Sequence, residues 1–426
     1  MSATPARAQS SGPLLWAVFL AVSWTWCIGM FLPVLLVRDY GIWGFVIFAL
    51  PNVVGAGAMG WVIRTRDASR RCVTQHEFLV RVFSAVTVGF HLWFVWYLSF
   101  CGWVSGPWWP WITVGVFALA LFSGLKAEKP SEALTPFFIS VIVIAFAFVA
   151  GLEVKIPPTD VRGFWGIPAV AWVAPVCVFG FLLCPYLDAT FHRARQNLDT
   201  GPARVAFGIG FGVFFFAMIL FTLAYSALIL GDGVAGPRVL TAIVLHMVIQ
   251  SGFTCGLHIR ELARSLDSTD RVRLRGTFVS AGVIALLGGT VALLHFRVAD
   301  NISPGFELGY RVILSSYGLI FPAYVWLVMM PLWGLDRAPS ARHILVWIGA
   351  CAIAAPAFWM GLIQKQEWWL APGMIVLLGA RLLIPSSGGA GSPPPGSPVP
   401  ANPHDLQPVL SAASEDPNDE VPDSRS

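Results

Sequence analysis

Long apolar stretches alternate with short polar gaps between residues 13 and 385 of this 426-residue chain. About 20 apolar residues in a helix cross the hydrocarbon core of a bilayer. The pattern therefore predicts an all-α integral membrane fold with about 12 transmembrane helices. The predicted spans are 13–37, 42–63, 82–103, 107–125, 134–153, 164–187, 205–230, 239–258, 277–296, 311–333, 344–363 and 368–385.

Basic residues collect in every second gap between these spans. The richer gaps hold Arg64, Arg66, Arg70 and Arg71, then Lys126 and Lys129, then Arg193, Arg195 and Arg204, then Arg260, Arg264, Arg271, Arg273 and Arg275, and then Arg337 and Arg342. The other gaps hold fewer basic residues in total, namely Arg38, Lys155, Arg162, Arg238, Arg297, Arg311 and Lys365. Because Lys and Arg concentrate in cytoplasmic loops, we expect both termini in the cytoplasm and the protein in the plasma or inner membrane of the cell.

The composition excludes several classes of protein. Hydrophobic residues make up 56% of the chain and charged residues 12%, whereas soluble domains carry about 25% charged residues. The chain has no basic block suited to nucleic acid, so we expect the lipid bilayer, and no nucleic acid, among its partners. The seven cysteines include no C-x-x-C pair, and this scatter predicts neither a disulfide framework nor a zinc site.

Sequence signatures of soluble enzymes are also missing. The chain has no G-x-S-x-G, no H-E-x-x-H and no G-x-x-x-x-G-K-[ST]. We therefore predict that it is not an enzyme and that it uses no cofactor beyond a coupling ion. Without a nucleotide-binding loop, movement of a solute would draw on an ion gradient rather than on ATP.

Two terminal segments lack the apolar pattern. Residues 1–12 are predicted to form a cytoplasmic N-terminus. Residues 386–426 are rich in Pro, Gly and Ser and end in an acidic stretch. Such a composition buries too little apolar area to offset the entropy of ordering, so we predict a disordered cytoplasmic tail.

Polar groups at membrane depth are costly and therefore mark candidate functional sites. The first group lies in span 1, where Ser23, Thr25, Cys27 and Gly29 are followed by Pro33. Gly and Pro weaken a helix and free backbone carbonyls, and unwound backbone at the bilayer midplane coordinates cations in transporters. The alternative is a kink that serves packing alone.

The second group lies at the end of span 6. Pro185 is predicted to break the helix, and Asp188 follows it closely. A carboxylate beside a broken helix holds Na⁺ or carries a proton under one interpretation. Under the other, Asp188 lies at the cytoplasmic interface and pairs with His192 or Arg193.

The third group is a polar stripe on span 8. His246, Gln250, Thr254 and His258 recur every four residues, with Ser251 beside them. This spacing places them on one helix face, which we expect to face the bundle or a cavity. Ser251 and Thr254 are candidate cation ligands, and Gln250 is a candidate substrate contact. Alternatively, the stripe makes only interhelical hydrogen bonds, worth about 0.6 kcal/mol each.

Span 2 carries Gly55, Gly57 and Gly60 within six residues. Small residues let neighbouring helices approach closely. We therefore expect this face of span 2 to pack against another helix, with Asn52 capping or bridging a break.

Three stretches together resemble the sodium:solute symporter family. Ser23-Trp24-Thr25 with Gly29 resembles its first core helix, and residues 40–52 resemble its next segment. Residues 188–194 resemble the end of its sixth core helix, with His192 standing where the family has Gln. The family fold implies two inverted five-helix repeats, about 13–153 and 164–333, followed by two accessory helices within 344–385. The family's second sodium site implies ligands at Thr25, Ser251 and Thr254.

The sequence thus favours a secondary active transporter that moves a small-molecule solute by alternating access, coupled to Na⁺ or H⁺. Site residues expected on the pathway are Ser23, Thr25, Cys27, Gly29, Asp188, His246, Gln250, Ser251 and Thr254. A second hypothesis is a non-transporting membrane sensor or assembly protein built on a transporter-like fold. An intramembrane enzyme with a histidine base is disfavoured, because span 8 carries no partner carboxylate at suitable spacing. The solute and the oligomeric state are not indicated.

Overall fold

A computed structural model describes residues 12–156, 163–233, 235–264, 304–332 and 338–384. The described chain is helical apart from its connecting segments and one antiparallel hairpin, in which β1 (Gly163–Phe164) pairs with β2 (Ile167–Pro168). The α-helices are α1 (Pro13–Trp24), α2 (Cys27–Val62), α3 (Arg66–Gln75), α4 (Glu77–Phe100), α5 (Trp109–Lys126), α6 (Leu134–Val149), α7 (Ala169–Leu183), α8 (Ala189–Asn197), α9 (Thr200–Ile209), α10 (Phe216–Leu230), α11 (Pro237–Arg264), α12 (Pro304–Tyr324), α13 (Ala341–Phe358) and α14 (Leu370–Gly379).

The all-helical, multi-pass membrane character predicted from hydropathy is confirmed. Within the described ranges, nine helical segments are long and apolar enough to cross a membrane by length and composition. Every predicted span except 277–296 falls on described helices. That span, residues 1–11 and the tail from 386 onwards lie outside the described residues. The total of 12 spans and the inverted repeat remain predictions.

The chain of the first two predicted spans is interrupted at two points. Span 1 is not one helix, because α1 ends at Trp24 and α2 begins at Cys27. Helix α2 then changes direction at Gly41, in the predicted gap between spans 13–37 and 42–63, and the φ of 59° at this position suits glycine. Beyond the kink the chain lies against itself, since a Cβ on Gly44 would be 2.1 Å from the Leu36 carbonyl oxygen.

Hydropathy did not predict α3 and α8, two short polar helices in the arginine-rich gaps. Thr65 caps α3 by accepting a hydrogen bond from the Ala68 N–H at 3.0 Å. The helices pack together through the Ser69 hydroxyl, which lies 2.9 Å from His192 Nδ1. The His192 Nε2–H donates to the Tyr186 carbonyl oxygen at 2.9 Å, so this ring is held from both sides.

One buried arginine ties α8 to the end of α2. Arg195 is fully buried and donates to the carbonyl oxygens of Ile63, Arg64 and Leu198. The last carbonyls of a helix have no intrahelical donors and attract cations. Arg195, which belongs to the basic gaps that predict the topology, therefore caps the carbonyl end of α2.

Close helix packing along span 2 follows the prediction from its small residues. A Cβ on Gly55 would lie 2.2 Å from the Phe181 carbonyl oxygen of α7, and one on Gly60 would lie 2.7 Å from the Phe207 side chain. Helix α11 uses glycines in the same way against α5, where Gly252 and Gly256 approach the opposing backbone. The contact at Gly55 brings α7 next to α2.

We predict that Gly55→Ala destabilises the protein by roughly 1–3 kcal/mol, because the new methyl group overlaps backbone that cannot rotate away. Thermal unfolding of the purified protein in detergent would measure this loss. Gly115→Ala is the matched control on α5, since nothing lies within 4 Å of its Cβ position. Equal unfolding temperatures for the two variants would contradict the packing assigned to Gly55.

Candidate functional site

The first interruption in a membrane helix lies at Thr25 and Trp26. These residues separate α1 from α2 and have non-helical backbone angles. The Thr25 hydroxyl donates to the Ala21 carbonyl oxygen at 2.8 Å, and the Trp26 indole N–H donates to the Ser23 carbonyl oxygen at 2.5 Å. Local side chains thus satisfy carbonyls at the end of α1, as buried backbone requires.

The break predicted in span 1 exists, but it precedes the residues expected to cause it. Gly29 and Pro33 lie inside α2. Pro33 has no N–H, so the Gly29 carbonyl lacks its helical donor and instead accepts from the Thr222 hydroxyl at 3.0 Å. The Tyr225 hydroxyl donates to the next carbonyl, that of Met30, at 2.5 Å. Helix α10 therefore stabilises the first turns of α2.

The start of α2 is held from two further helices. The Cys27 N–H donates to His91 Nε2 at 3.2 Å, while His91 Nδ1–H donates to the Thr87 carbonyl oxygen at 2.8 Å. Both ring nitrogens of His91 are thereby committed, and the ring is neutral. From α12, the Tyr310 hydroxyl donates to the Cys27 carbonyl oxygen at 3.1 Å. His91 and Tyr310 thus act as backbone caps for a helix that starts inside the bundle.

The second interruption follows α7 and was predicted from Pro185. A 3₁₀ turn over Cys184–Leu187 leads to Asp188, which has extended backbone and caps α8. Asp188 Oδ1 accepts from the Thr190 N–H at 2.7 Å and from the Thr190 hydroxyl at 2.6 Å. Its Oδ2 is buried and has no hydrogen-bond partner among the described residues.

The alternative interpretation of Asp188, an interfacial pair with His192 or Arg193, is wrong. Burial lowers the pKa of His192 to about 4, so this ring is not a cationic partner. Arg193 instead contacts Glu261 at 3.2 Å and donates to the carbonyl oxygens of Ala127 and Glu128. Asp188 itself is 0% exposed, so it belongs to the interior rather than to the interface.

His258 of α11 contacts both interruptions. Its ring lies edge-on to Trp26, with centroids 5.5 Å apart, and its Nε2 is 3.9 Å from Asp188 Oδ2. The Trp24 and Phe191 rings, 4.9 Å apart, join the same two helix ends. His258 belongs to the predicted polar stripe but was not among the residues expected on the pathway, because its partners are 70 or more residues away in the chain.

The other end of the stripe packs against α6. His246 Nδ1 lies 3.2 Å from the Ser140 hydroxyl, and the Gln250 amide donates to the same hydroxyl at 2.7 Å and to the Pro136 carbonyl oxygen at 3.2 Å. These contacts match the interhelical alternative. Gln250, predicted to contact substrate, lies away from the cavity described below.

The residues proposed as sodium ligands are only partly available. The Ser251 and Thr254 hydroxyls are fully buried and have no partner among the described residues, which suits a cation ligand. The Thr25 hydroxyl is already engaged with the Ala21 carbonyl oxygen and lies 2.8 Å from Met218 Sδ. The described ranges contain no group of three or more His, Cys, Asp or Glu residues able to hold a metal ion.

An apolar cavity of about 90 Å³ adjoins both interruptions. Its wall is aromatic and aliphatic, and it includes Gly29, one of the residues predicted for the pathway. The Trp24 indole N–H donates to Asn52 Oδ1 at 2.6 Å and fixes part of this wall. Further lining residues are Trp26, Ile28, Leu32, Val173, Cys177, Cys184, Leu314, Ser315 and Tyr317.

An ion-pair network stands at one end of this cavity, on the side that the arginine pattern predicts to be external. Arg38 makes a two-pronged contact with Glu307 at 2.7 and 2.8 Å, and Arg311 contacts Glu307 at 2.7 Å and also pairs with Asp39. Lys365 lies within 4 Å of both acids. The network joins residues 38–39, 307–311 and 365, which are far apart in the sequence, so this outer ion network was not predicted.

A second cavity, of about 260 Å³, lies on the side predicted to be cytoplasmic. Its wall is polar and charged, and none of its lining residues lines the apolar cavity. The residues include Glu77, Arg81, Ser84, Ala189, His192, Arg193, Gln196, Glu261 and Arg264. Trp26, Asp188 and His258 therefore lie in the layer between the two cavities.

No protein-family model matches this sequence, and no curated protein matches it. Among solved structures, two point mutants of a manganese transporter from Eremococcus coleocola are similar to it at a TM-score of 0.40. The identities are 15% and 16%, and the match covers 88% of this chain and 92% of the transporter. The resemblance to the sodium:solute symporter family remains a prediction.

We predict that removing the α10 hydroxyls destabilises the broken helix. Thr222→Val leaves the buried Gly29 carbonyl without its donor, which costs about 1–3 kcal/mol, and Tyr225→Phe removes the hydroxyl hydrogen bond to the Met30 carbonyl, which costs about 0.5–1.5 kcal/mol. Unfolding free energies in detergent would test this. Thr241→Val is the control, because that exposed hydroxyl donates only to the Pro237 carbonyl oxygen of its own helix. Losses no larger than that of the control would refute the capping role.

Proposed function

We propose that this chain is a secondary active transporter, which moves a small solute across the membrane by alternating access and couples this movement to Na⁺ or H⁺. The observation that carries the proposal is the contact of one imidazole, His258, with both interrupted helices. Interrupted helices at one depth present unpaired backbone and helix ends to a central site, which is how many transporters bind solutes and ions.

The two cavities support alternating access. One begins at the outer ion network and the other opens among the charged residues of α4, α8 and α11. A layer formed by Trp26, Asp188 and His258 separates them. A solute would pass from one cavity to the other when this layer and the outer ion network rearrange in turn.

The apolar wall of the first cavity indicates which kind of solute it would bind. Aromatic rings from Trp24, Trp26 and Tyr317 surround much of the volume, and few polar groups converge on it. Ligand sites of this kind bind an apolar body and orient it through a few hydrogen bonds. Asn52 and Ser315 are two of the polar lining residues that would do so, and the others are Tyr40, Tyr317 and Arg311. We therefore propose a small organic solute with an apolar body.

In the proposed architecture the interrupted helices are the first of each repeat. Repeat 1 covers about 13–153 and repeat 2 about 164–333, with 344–385 accessory, so α1–α2 and α7–α8 hold equivalent positions. The arginine pattern gives these two helices opposite directions, as an inverted repeat requires. Both termini would then lie in the cytoplasm, with the protein in the plasma or inner membrane.

We predict that the purified full chain, reconstituted in liposomes, accumulates a member of a panel of small apolar-bodied solutes when a Na⁺ or a pH gradient is imposed. Trp26→Ala should lower uptake roughly tenfold, equivalent to about 1.4 kcal/mol, because it removes the ring between the cavity and His258. Trp165→Ala is the control, since that indole is 81% exposed in the hairpin turn. No flux across the whole panel would refute transport and favour the sensor or assembly hypothesis.

We also predict that the outer ion network closes the apolar cavity. Glu307→Gln removes the carboxylate shared by Arg38 and Arg311, so the cavity should open more often. Labelling of Cys177, which lines the cavity, by N-ethylmaleimide should accelerate severalfold, and Cys177→Ser identifies the labelled thiol. Glu77→Gln is the control, because it breaks a different pair, with Arg81. Equal labelling rates in both variants would contradict the closing role.

A further inference from the structure

Asp188 and His258 face each other through their two unpaired atoms. Asp188 Oδ2 and His258 Nε2 lie 3.9 Å apart, both are buried, and neither has a hydrogen-bond partner among the described residues. The other polar atom of each side chain already has a partner. Oδ1 caps α8, and His258 Nδ1 lies 3.2 Å from the Ser84 hydroxyl. The two side chains are therefore held in place with their free atoms directed at one another.

This arrangement needs one proton. In the ring tautomer in which His258 Nδ1 donates to Ser84, Nε2 presents a lone pair to Asp188 Oδ2, and two acceptors face each other. One proton on either atom makes the pair neutral overall. Without it, the buried carboxylate keeps its hydrogen bonds at Oδ1 but has no cation beside it, which is unfavourable. The two groups therefore bind this proton as a unit.

No permanent cation replaces the proton among the described residues. On α8, Arg193 is engaged by Glu261 of α11, which also pairs with Arg264. From α4, His91 is neutral because both of its nitrogens are committed to backbone partners. From α12, Tyr317 approaches Asp188 and brings no positive charge.

The pair has a polar connection to one side and an apolar neighbour on the other. Ser84, the partner of His258, lines the polar cavity together with Ala189, the residue after Asp188. Protons can therefore reach His258 from the predicted cytoplasmic side through one hydroxyl. On the other side, Trp26 covers the His258 ring and also lines the apolar cavity. A solute that displaces Trp26 would change the surroundings of the pair.

We infer that Asp188 and His258 form a proton-binding site and that the coupling ion is H⁺. The second half of this inference rests on the proposed transport function, whereas the first half does not. Protonation of the pair neutralises the layer between the two cavities, and solute binding against Trp26 favours one protonation state over the other. Each site thereby changes the affinity of the other, as coupled transport requires.

Infrared difference spectroscopy of the full chain in lipid, recorded while the pH is changed, tests the proton site without any solute. A carboxylic acid C=O band should persist well above about pH 4, where exposed carboxyl groups ionise. Asp188→Asn should abolish this band. Asn still caps a helix through its amide oxygen, so α8 should remain folded. His258→Gln should shift the pH at which the band disappears.

Two matched controls accompany these variants. Asp199→Asn makes the same change at the start of α9, where the carboxyl group is exposed, and should leave the band intact. His246→Gln makes the histidine change on the same helix, at the Ser140 contact, and should leave its titration unchanged. A band that survives in Asp188→Asn, or that shifts equally in both histidine variants, would overturn the assignment.

Transport measurements test the coupling. In liposomes, Asp188→Asn should lose accumulation driven by a pH gradient at least tenfold but retain exchange of labelled for unlabelled solute, which needs no net proton movement. Accumulation driven by Na⁺ and indifferent to a pH gradient would overturn the coupling and leave transport standing. No solute flux at all, with the infrared band present, would overturn transport and leave the proton site standing.

Discussion

Backbone polar groups inside a bilayer must find partners within the protein, since lipid offers none. This constraint governs the centre of the molecule. Two helices stop and restart inside the bundle, and side chains from neighbouring helices satisfy the groups thus freed. His91, Thr222, Tyr225 and Tyr310 cap the start of α2, and Asp188 caps α8. These five polar residues therefore satisfy backbone groups that the interruptions and Pro33 leave exposed.

The need for partners inside the protein also explains why the position of His258 matters. Asp188 uses one oxygen to cap a helix, and its second oxygen is left inside the protein beside an imidazole with one free nitrogen. The capping hydrogen bonds therefore hold the carboxyl group in position, and its second oxygen remains able to bind a proton. Because the cap and the free oxygen belong to one side chain, a change in protonation acts directly on the end of a helix that lies between the two cavities.

The sequence predicted the membrane helices, the close packing of span 2 and both interruptions, because hydropathy, glycine and proline act locally. It attributed the first interruption to Gly29 and Pro33, which lie inside α2, where Thr222 from α10, some 190 residues away, satisfies the Gly29 carbonyl that Pro33 leaves free. It also missed α3 and α8, which are polar and short, and the outer ion network, whose charges lie on segments far apart in sequence. Pairings of this kind depend on tertiary structure, which periodicity does not report.

Arg195 has a consequence for the order of assembly. Its guanidinium closes the carbonyl end of α2, and its partners Ile63 and Arg64 precede it by more than 130 positions. During synthesis, the first two spans must enter the membrane long before residue 195 leaves the ribosome. Until then water must solvate those carbonyls, so the ends of α2 and α3 cannot reach their final arrangement. The amino-terminal spans are thus inserted early. The carbonyl end of α2 reaches its final arrangement only later, when α8 packs against it.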